Sequence, residues 1–132
     1  MSAYDGMTDA EVAHAVLSFL RLGYRHPRGG PVARGPCPYP IRGGDGVTAA
    51  SALLDESKGY PLVLVEAVAP HTVDTSAADA VERARRLAAV TGRLSWGRSP
   101  VPEVWLCVPA TALEELRARF PDMPGKWVAY QL

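Results

Sequence analysis

Pro61-Leu62-Val63-Leu64-Val65-Glu66-Ala67-Val68-Ala69-Pro70 is the stretch on which the fold turns. A run of Leu and β-branched residues bounded by two prolines reads as a strand buried on both faces. Just before it, Asp55-Glu56-Ser57-Lys58-Gly59 is a turn sequence. Before that, residues 47–54 (Val-Thr-Ala-Ala-Ser-Ala-Leu-Leu) suit a strand or a short helix, since Ala is neutral. The intervening turn makes 47–54 and 61–69 an antiparallel hairpin. After the strand, Ser76 suits an N-cap, and Ala77, Ala80, Val81, Ala84, Leu87, Ala88 and Thr91 repeat at helical spacing until Gly92. Asp79–Arg83 and Glu82–Arg86 are i,i+4 pairs for its solvent side. Val104-Trp105-Leu106-Cys107-Val108 is a second buried strand. Thr111 and Glu114 then open a helix by a capping box, which Pro121 stops. Trp127-Val128-Ala129-Tyr130 reads as a last short strand.

Upstream, Thr8 and Glu11 form another capping box, with Val12, Ala15, Val16, Phe19 and Leu20 on one helical face and Gly23 as the stop. Between Pro27 and Pro40 lie five prolines, three glycines and Cys37. Proline lacks the N–H a sheet ladder needs, so this stretch is a loop or an edge. The 26 residues before it are too few for a separate core. The expectation is one domain over 1–132, of α/β class, with a Pro/Gly/Arg-rich loop at about 25–44.

Fourteen basic residues balance fourteen acidic ones, and 48% of the chain is hydrophobic. That balance excludes disorder and coating of nucleic acid or acidic membrane by bulk charge. Two cysteines make no disulfide framework, and no CxxC or CxxxH spacing suggests zinc. Residues 1–11 are poor in apolar side chains, unlike a secretory signal, and no run approaches a membrane span. The expected compartment is the cytoplasm.

One residue in the central strand is out of place. Glu66 interrupts an apolar run, and an unpaired buried carboxylate costs several kcal/mol. It needs a solvent outlet, a partner or a cation. Alternation puts Leu64, Glu66 and Val68 on one face, and Asp45 is in position to reach that face across the hairpin. Two such carboxylates suit Mg²⁺, an oxygen-seeking ion that polarises phosphoryl groups and generates hydroxide.

With these residues the chain resembles the PD-(D/E)XK, or restriction-endonuclease-like, superfamily, most nearly its Holliday-junction-resolvase-like and small endonuclease branches. The resemblance runs from Glu11-Val12-Ala13 and Leu22-Gly23-Tyr24 on the first helix, through Gly44-Asp45-Gly46-Val47, to the strand ending at Glu66. It implies a three-layer core, a mixed sheet flanked by helices in the order α-β-β-β-α-β-α-β. It also implies Mg²⁺ held by Asp45 and Glu66, and a DNA-cleaving hydrolase. The family's lysine position holds Val68, so Arg83 on the following helix, or Lys58 in the turn, would supply the cation; spacing favours Arg83. Without one, this is the fold stripped of its chemistry. The alternative is a catalytically inactive interaction module, of a phage- or plasmid-associated, immunity or assembly-subunit kind. Resolvase-like relatives are commonly dimers, so a homodimer is also in view.

Arginine distribution bears on the DNA reading. Arg21, Arg25, Arg28, Arg34 and Arg42 fall in one acid-free block, and Arg83, Arg85, Arg86, Arg93 and Arg98 in another. Guanidinium is the side chain best suited to bidentate phosphate contact. Trp96, between Arg93 and Arg98, suits stacking on a base. The plainer readings are salt bridges for the arginines and a Trp tucked under its own loop. Plain readings also exist for Glu11 as a capping residue, Asp45 as a turn residue, His71 as a solvated loop histidine and Cys107 as a core thiol.

Overall fold

The computed structural model describes residues 3–132. Helix α1 (Asp9–Gly23) starts as its sequence dictates: the Glu11 N–H donates to Thr8 Oγ1 at 3.2 Å, and the Thr8 N–H donates to Glu11 Oε1 at 3.0 Å. Its buried stripe is Val12, Ala13, Val16 and Leu17. The expected face was rotated, because Leu17 is in the core and Phe19 is 67% exposed. The helix packs on the sheet nearer its 13/17 row than its 15/19 row.

Seven strands follow: β1 (Val32–Arg34), β2 (Tyr39–Pro40), β3 (Thr48–Ala49), β4 (Ser51–Asp55), β5 (Pro61–Ala67), β6 (Glu103–Pro109) and β7 (Lys126–Tyr130). Five of them form one mixed sheet in the order β1-β4-β5-β6-β7, while β2 and β3 pair as a small hairpin. In the large sheet β4 runs antiparallel to both its neighbours, β1 and β5, and β5, β6 and β7 run parallel. Every residue of β5 is buried, as expected of a strand covered on both faces. Each Leu or Val there contributes about 1.5–3 kcal/mol by leaving water. The Pro-rich stretch resolves into the edge strand β1, flanked by Pro31 and Pro36, and the short β2.

Helix α2 (Val73–Arg93) and helix α3 (Leu113–Arg119) complete the layers. One core joins Leu64, Val68, Leu106 and Val108 to Ala80, Val81, Ala84, Leu87 and Leu116, on the α2/α3 side. The other joins Val63, Val65, Ala67 and Trp105 to Val12, Val16 and Leu17, on the α1 side. The protein is thus a mixed α/β fold, a five-stranded sheet with helices on both faces.

Two expected helix starts are corrected. A 3-10 turn at Pro70–Thr72 leads directly into α2, so Ser76 lies inside the helix and its hydroxyl donates to the Thr72 carbonyl at 2.9 Å. Pro70 fixes the backbone for that entry. Likewise a 3-10 turn at Ala110–Ala112 precedes α3, and no side-chain cap forms, so Thr111 and Glu114 do not make a capping box. At the entry to β7, Gly125 has φ +89, and a Cβ there would collide with the Val104 carbonyl. Among the described residues, no helix is long and apolar enough to cross a membrane.

Candidate functional site: an ion triad at the end of the central strand

Glu66 is the penultimate residue of β5, and its side chain lies on the α2 side with Leu64 and Val68. The β4–β5 register places Ser51 opposite Val65, so Ala50 lies beside Glu66. The Ala50 N–H donates to Glu66 Oε2 at 2.8 Å, and Arg83 Nε donates to Oε1 at 2.8 Å. Arg83 reaches further: its Nη2 donates to Asp9 Oδ2 at 3.2 Å and to the Ala67 carbonyl at 3.4 Å. Asp9 Oδ1 in turn accepts from the Ala69 N–H at 2.8 Å. The first turn of α1, the end of β5 and the middle of α2 are therefore joined through one guanidinium.

The Glu66 side chain is 4% exposed, against 33% for Arg83. Burial raises the Glu66 pKa, opposed by the Arg83 guanidinium and the Ala50 N–H. This geometry answers why a carboxylate is tolerated in the strand: both its oxygens have donors, one of them cationic. Arg83 therefore turns inward instead of pairing with Asp79, and Glu82 pairs with Arg85 instead of Arg86.

A cavity of about 550 Å³ opens over the triad, lined among others by Asp9, Asp45, Glu66, Arg83 and Arg86. Asp45 belongs to its wall but not to a shared carboxylate centre. It sits in a tight turn at φ +54, its side chain is 85% exposed, and its carboxylate lies 3.9 Å from Arg93 Nη1. Among the described residues, no three His, Cys, Asp or Glu side chains gather as metal ligands. Both Glu66 oxygens are taken, one by Arg83 and one by the Ala50 N–H, and Arg83 bridges Glu66 to Asp9 and not to Asp45.

The other expected site residues are scattered. Lys58 follows β4 in the turn that leads into β5, at the opposite end of that strand from Glu66. His71 is exposed in the 3-10 turn before α2 and does not line the cavity. Trp96 is half-buried; its indole N–H donates to the Thr91 carbonyl at 2.9 Å, and its ring packs on the α2-side core. Arg85 spans Glu82 and Asp122. Arg34 donates to the His14 carbonyl at 3.0 Å on the α1 side. Arg25 and Arg28 flank His26, beside the turn that carries Lys58, whereas Gly43 packs near Leu94 and so brings Arg42 toward Arg93. Arg98 is exposed in the loop after α2. The two arginine blocks do not share one face. Cys107 is a core thiol, its pKa pushed up to about 12 by burial.

Two polar features escaped the sequence reading. Asp9 is one, hidden because an acid in a helix's first turn needs no partner to be explained. The other is a buried pair at the far end of the sheet. His26 Nε2 lies 2.6 Å from Asp55 Oδ1, and His26 Nδ1 accepts the Arg28 N–H at 2.9 Å. That acceptor role leaves the ring proton on Nε2, donating to Asp55. The second Asp55 oxygen accepts the Lys58 N–H at 2.6 Å. That hydrogen bond first, and the one from His26 next, hold the Asp55 pKa below its ordinary value. Both ring nitrogens are committed, so the pair is a latch between the 26–28 loop and the β4–β5 turn.

Fold and site thus define an α/β protein with a filled ionic centre at the end of its middle strand. Compared with known proteins, the chain matches no family model, no curated protein and no solved structure.

Proposed function

We propose that this chain is a restriction-endonuclease-like protein whose catalytic centre has become structural, and that it acts as an interaction module for a protein partner. Setting the β2–β3 hairpin aside, the elements of the large sheet and its helices run α-β-β-β-α-β-α-β, which supports the three-layer reading. One observation carries the functional half: Arg83 occupies the space between Glu66 and Asp9, and both Glu66 oxygens already have donors. A phosphodiesterase centre keeps carboxylate oxygens available for a metal and its water. Here they are spent on holding α1, β5 and α2 together.

A protein partner suits the surface better than DNA. Arg83, Arg85 and Arg93 each face a carboxylate, so three arginines of the block that begins on α2 are compensated in place. Counterion release, the main source of DNA affinity, requires uncompensated cations. The immunity and assembly-subunit kinds of partner belong to this reading.

A second reading, Mg²⁺-dependent DNA cleavage, draws on a single observation: Asp45 and Glu66 line the same cavity with Arg83. One experiment separates the two. The protein is incubated with branched and linear DNA in Mg²⁺ or Mn²⁺, and DNA binding is followed across a salt series. The expected result is no cleavage and no salt-sensitive binding, with one stoichiometric protein recovered from its native host by pull-down. Cleavage that disappears in Asp45→Ala and Glu66→Ala would overturn the interaction reading in favour of the nuclease.

A further inference from the structure

His26 stands apart from the other histidines. His71 is exposed, and His14 bonds through Nδ1 to the Ser51 hydroxyl at 2.9 Å. The His26 side chain is 2% exposed, and both its ring nitrogens have partners. Its Nδ1 lone pair accepts the N–H of Arg28, two residues on along the same chain. The Gly29 N–H donates to the His26 carbonyl at 2.9 Å, with Gly29 at φ +76, so residues 26–29 form a tight turn around the ring. Gly30 then lies against the His26–Asp55 pair: a Cβ there would sit 3.6 Å from Asp55 Oδ1 and from His26 Cδ2. Pro31 follows, its carbonyl accepting the Glu56 N–H at 3.1 Å, and leads into β1. One imidazole lone pair therefore helps to hold the entry to an edge strand only three residues long.

That acceptor role exists only while the ring is neutral. A proton taken up at Nδ1 turns the acceptor into a donor, so two N–H groups face each other and the Arg28 N–H loses its partner. The opposite side of the ring behaves differently. Nε2 is already the donor to Asp55, and an imidazolium only strengthens that contact with an ionised carboxylate. Protonation thus splits the latch without breaking it. Of the charges around the ring, Asp55 is in contact, while the flanking Arg25 and Arg28, and Glu56 and Lys58 in the β4–β5 turn, are exposed and screened by water. Tyr60, just before β5, presents its ring to His26 at a centroid distance of 6.2 Å and 78°. Tyr24, which feels both Tyr60 and Glu103, is the further titratable group on that side.

We propose that His26 is a pH-operated release: in mild acid, one proton at Nδ1 frees the Arg28 N–H and lets residues 27–30 leave the β4–β5 turn, while His26 and Asp55 stay paired. Imidazole is the side chain whose ordinary titration falls between about pH 5 and 8, above the range in which a carboxylate gives up its charge. The proton comes from solvent, and one N–H bond forms at the ring. Glycines at 29 and 30 give the segment the backbone freedom to move. The element biased is the loop between α1 and β1, closed on the β4–β5 turn with a neutral ring and open with a charged one. An asparagine at this place would accept the same N–H, two residues on, through its side-chain oxygen and would not titrate. What histidine adds is the proton. The release lies at the other end of β5 from Glu66 and operates whether that centre is catalytic or structural.

The test uses the full chain, labelled with ¹⁵N, and follows amide hydrogen exchange and the His26 ring nitrogens together from about pH 8 to pH 5. Protection of the Arg28 amide, corrected for the intrinsic pH dependence of exchange, should fall by about tenfold or more in step with protonation of the His26 ring. Protection of the Lys58 amide, which Asp55 accepts, should stay level over the same range. In His26→Asn the Arg28 amide should show no such pH dependence. If that variant folds poorly, the Arg28 and Lys58 amides of the wild-type protein, read in one sample, decide the matter. A ring that titrates without any change at Arg28 would overturn the proposal. So would a ring that stays neutral down to about pH 5, a parallel fall at Lys58, or an equal fall at Arg28 in His26→Asn.

Discussion

Arg83 is the side chain on which the middle of the molecule depends. It lies on the face of α2 turned toward the sheet, and its planar fork serves two carboxylates from different elements at once, which a lysine's single ammonium would do less well. Removing it leaves Glu66 buried with only the Ala50 N–H for company. Arg83→Met is therefore expected to lower stability by about 3 kcal/mol in urea unfolding, the low end for breaking a buried pair, since part of the guanidinium is open to water. Adding Glu66→Gln to that variant should recover part of the loss, because the uncompensated charge is then gone. An Arg83→Met protein within about 0.5 kcal/mol of the wild type would show that water, and not the guanidinium, satisfies Glu66.

At the scale of elements, the His26–Asp55 latch does for the far end of the sheet what Arg83 does for the near end. It fastens the segment entering β1 to the turn between β4 and β5. The Asp55 pKa lies lower in the folded state than its ordinary 3.8, so the folded state favours the ionised form. Its stabilising effect is complete above about pH 4 and is lost as pH falls through the depressed folded value. Asp55→Asn should accordingly unfold more readily than the wild type at pH 7, with the difference shrinking as the pH is taken below about 4. Hydrogen exchange should also speed up at the Lys58 amide, which Asp55 accepts. An Asp55→Asn protein with a constant deficit down to low pH would sever the effect from the charge. These elements differ in how far their sequences reveal them. Hydrophobic period alone locates α2, β5 and β6, because each buries a whole stripe or run. The latch has no such signature: His26 and Asp55 are 29 residues apart, in segments whose turn residues already account for their polarity. The α1 face was misjudged for a related reason. Phe19 reads as core in a helical pattern, and only the position of α1 over β1, β4 and β5, short of β7, leaves it outside.

For the molecule as a whole, the sheet divides two apolar clusters, and the ionic centre is where elements from both sides meet. Glu66 was conspicuous in the sequence because it broke an apolar run, and the spacing of α2 pointed to Arg83 as its neighbour. Asp9 and the outward turn of Asp45 were not legible, since each depends on where the N-terminus of α1 and the 41–47 loop settle in three dimensions. The same geometry bears on time as well as on energy. Residues 9, 66 and 83 come together only after the hairpin, the crossover helix and the amino-terminal helix have all docked, and loop closure over such separations comes late. Contacts absent from the rate-limiting barrier act on the way out of the native state. Arg83→Met should therefore steepen the loss of native protein by raising the unfolding rate, with the refolding rate nearly unchanged in stopped-flow chevrons; a slowed refolding limb would put the triad in the folding nucleus. On that expectation the guanidinium is a clasp closed last, setting how long the assembled protein stays assembled.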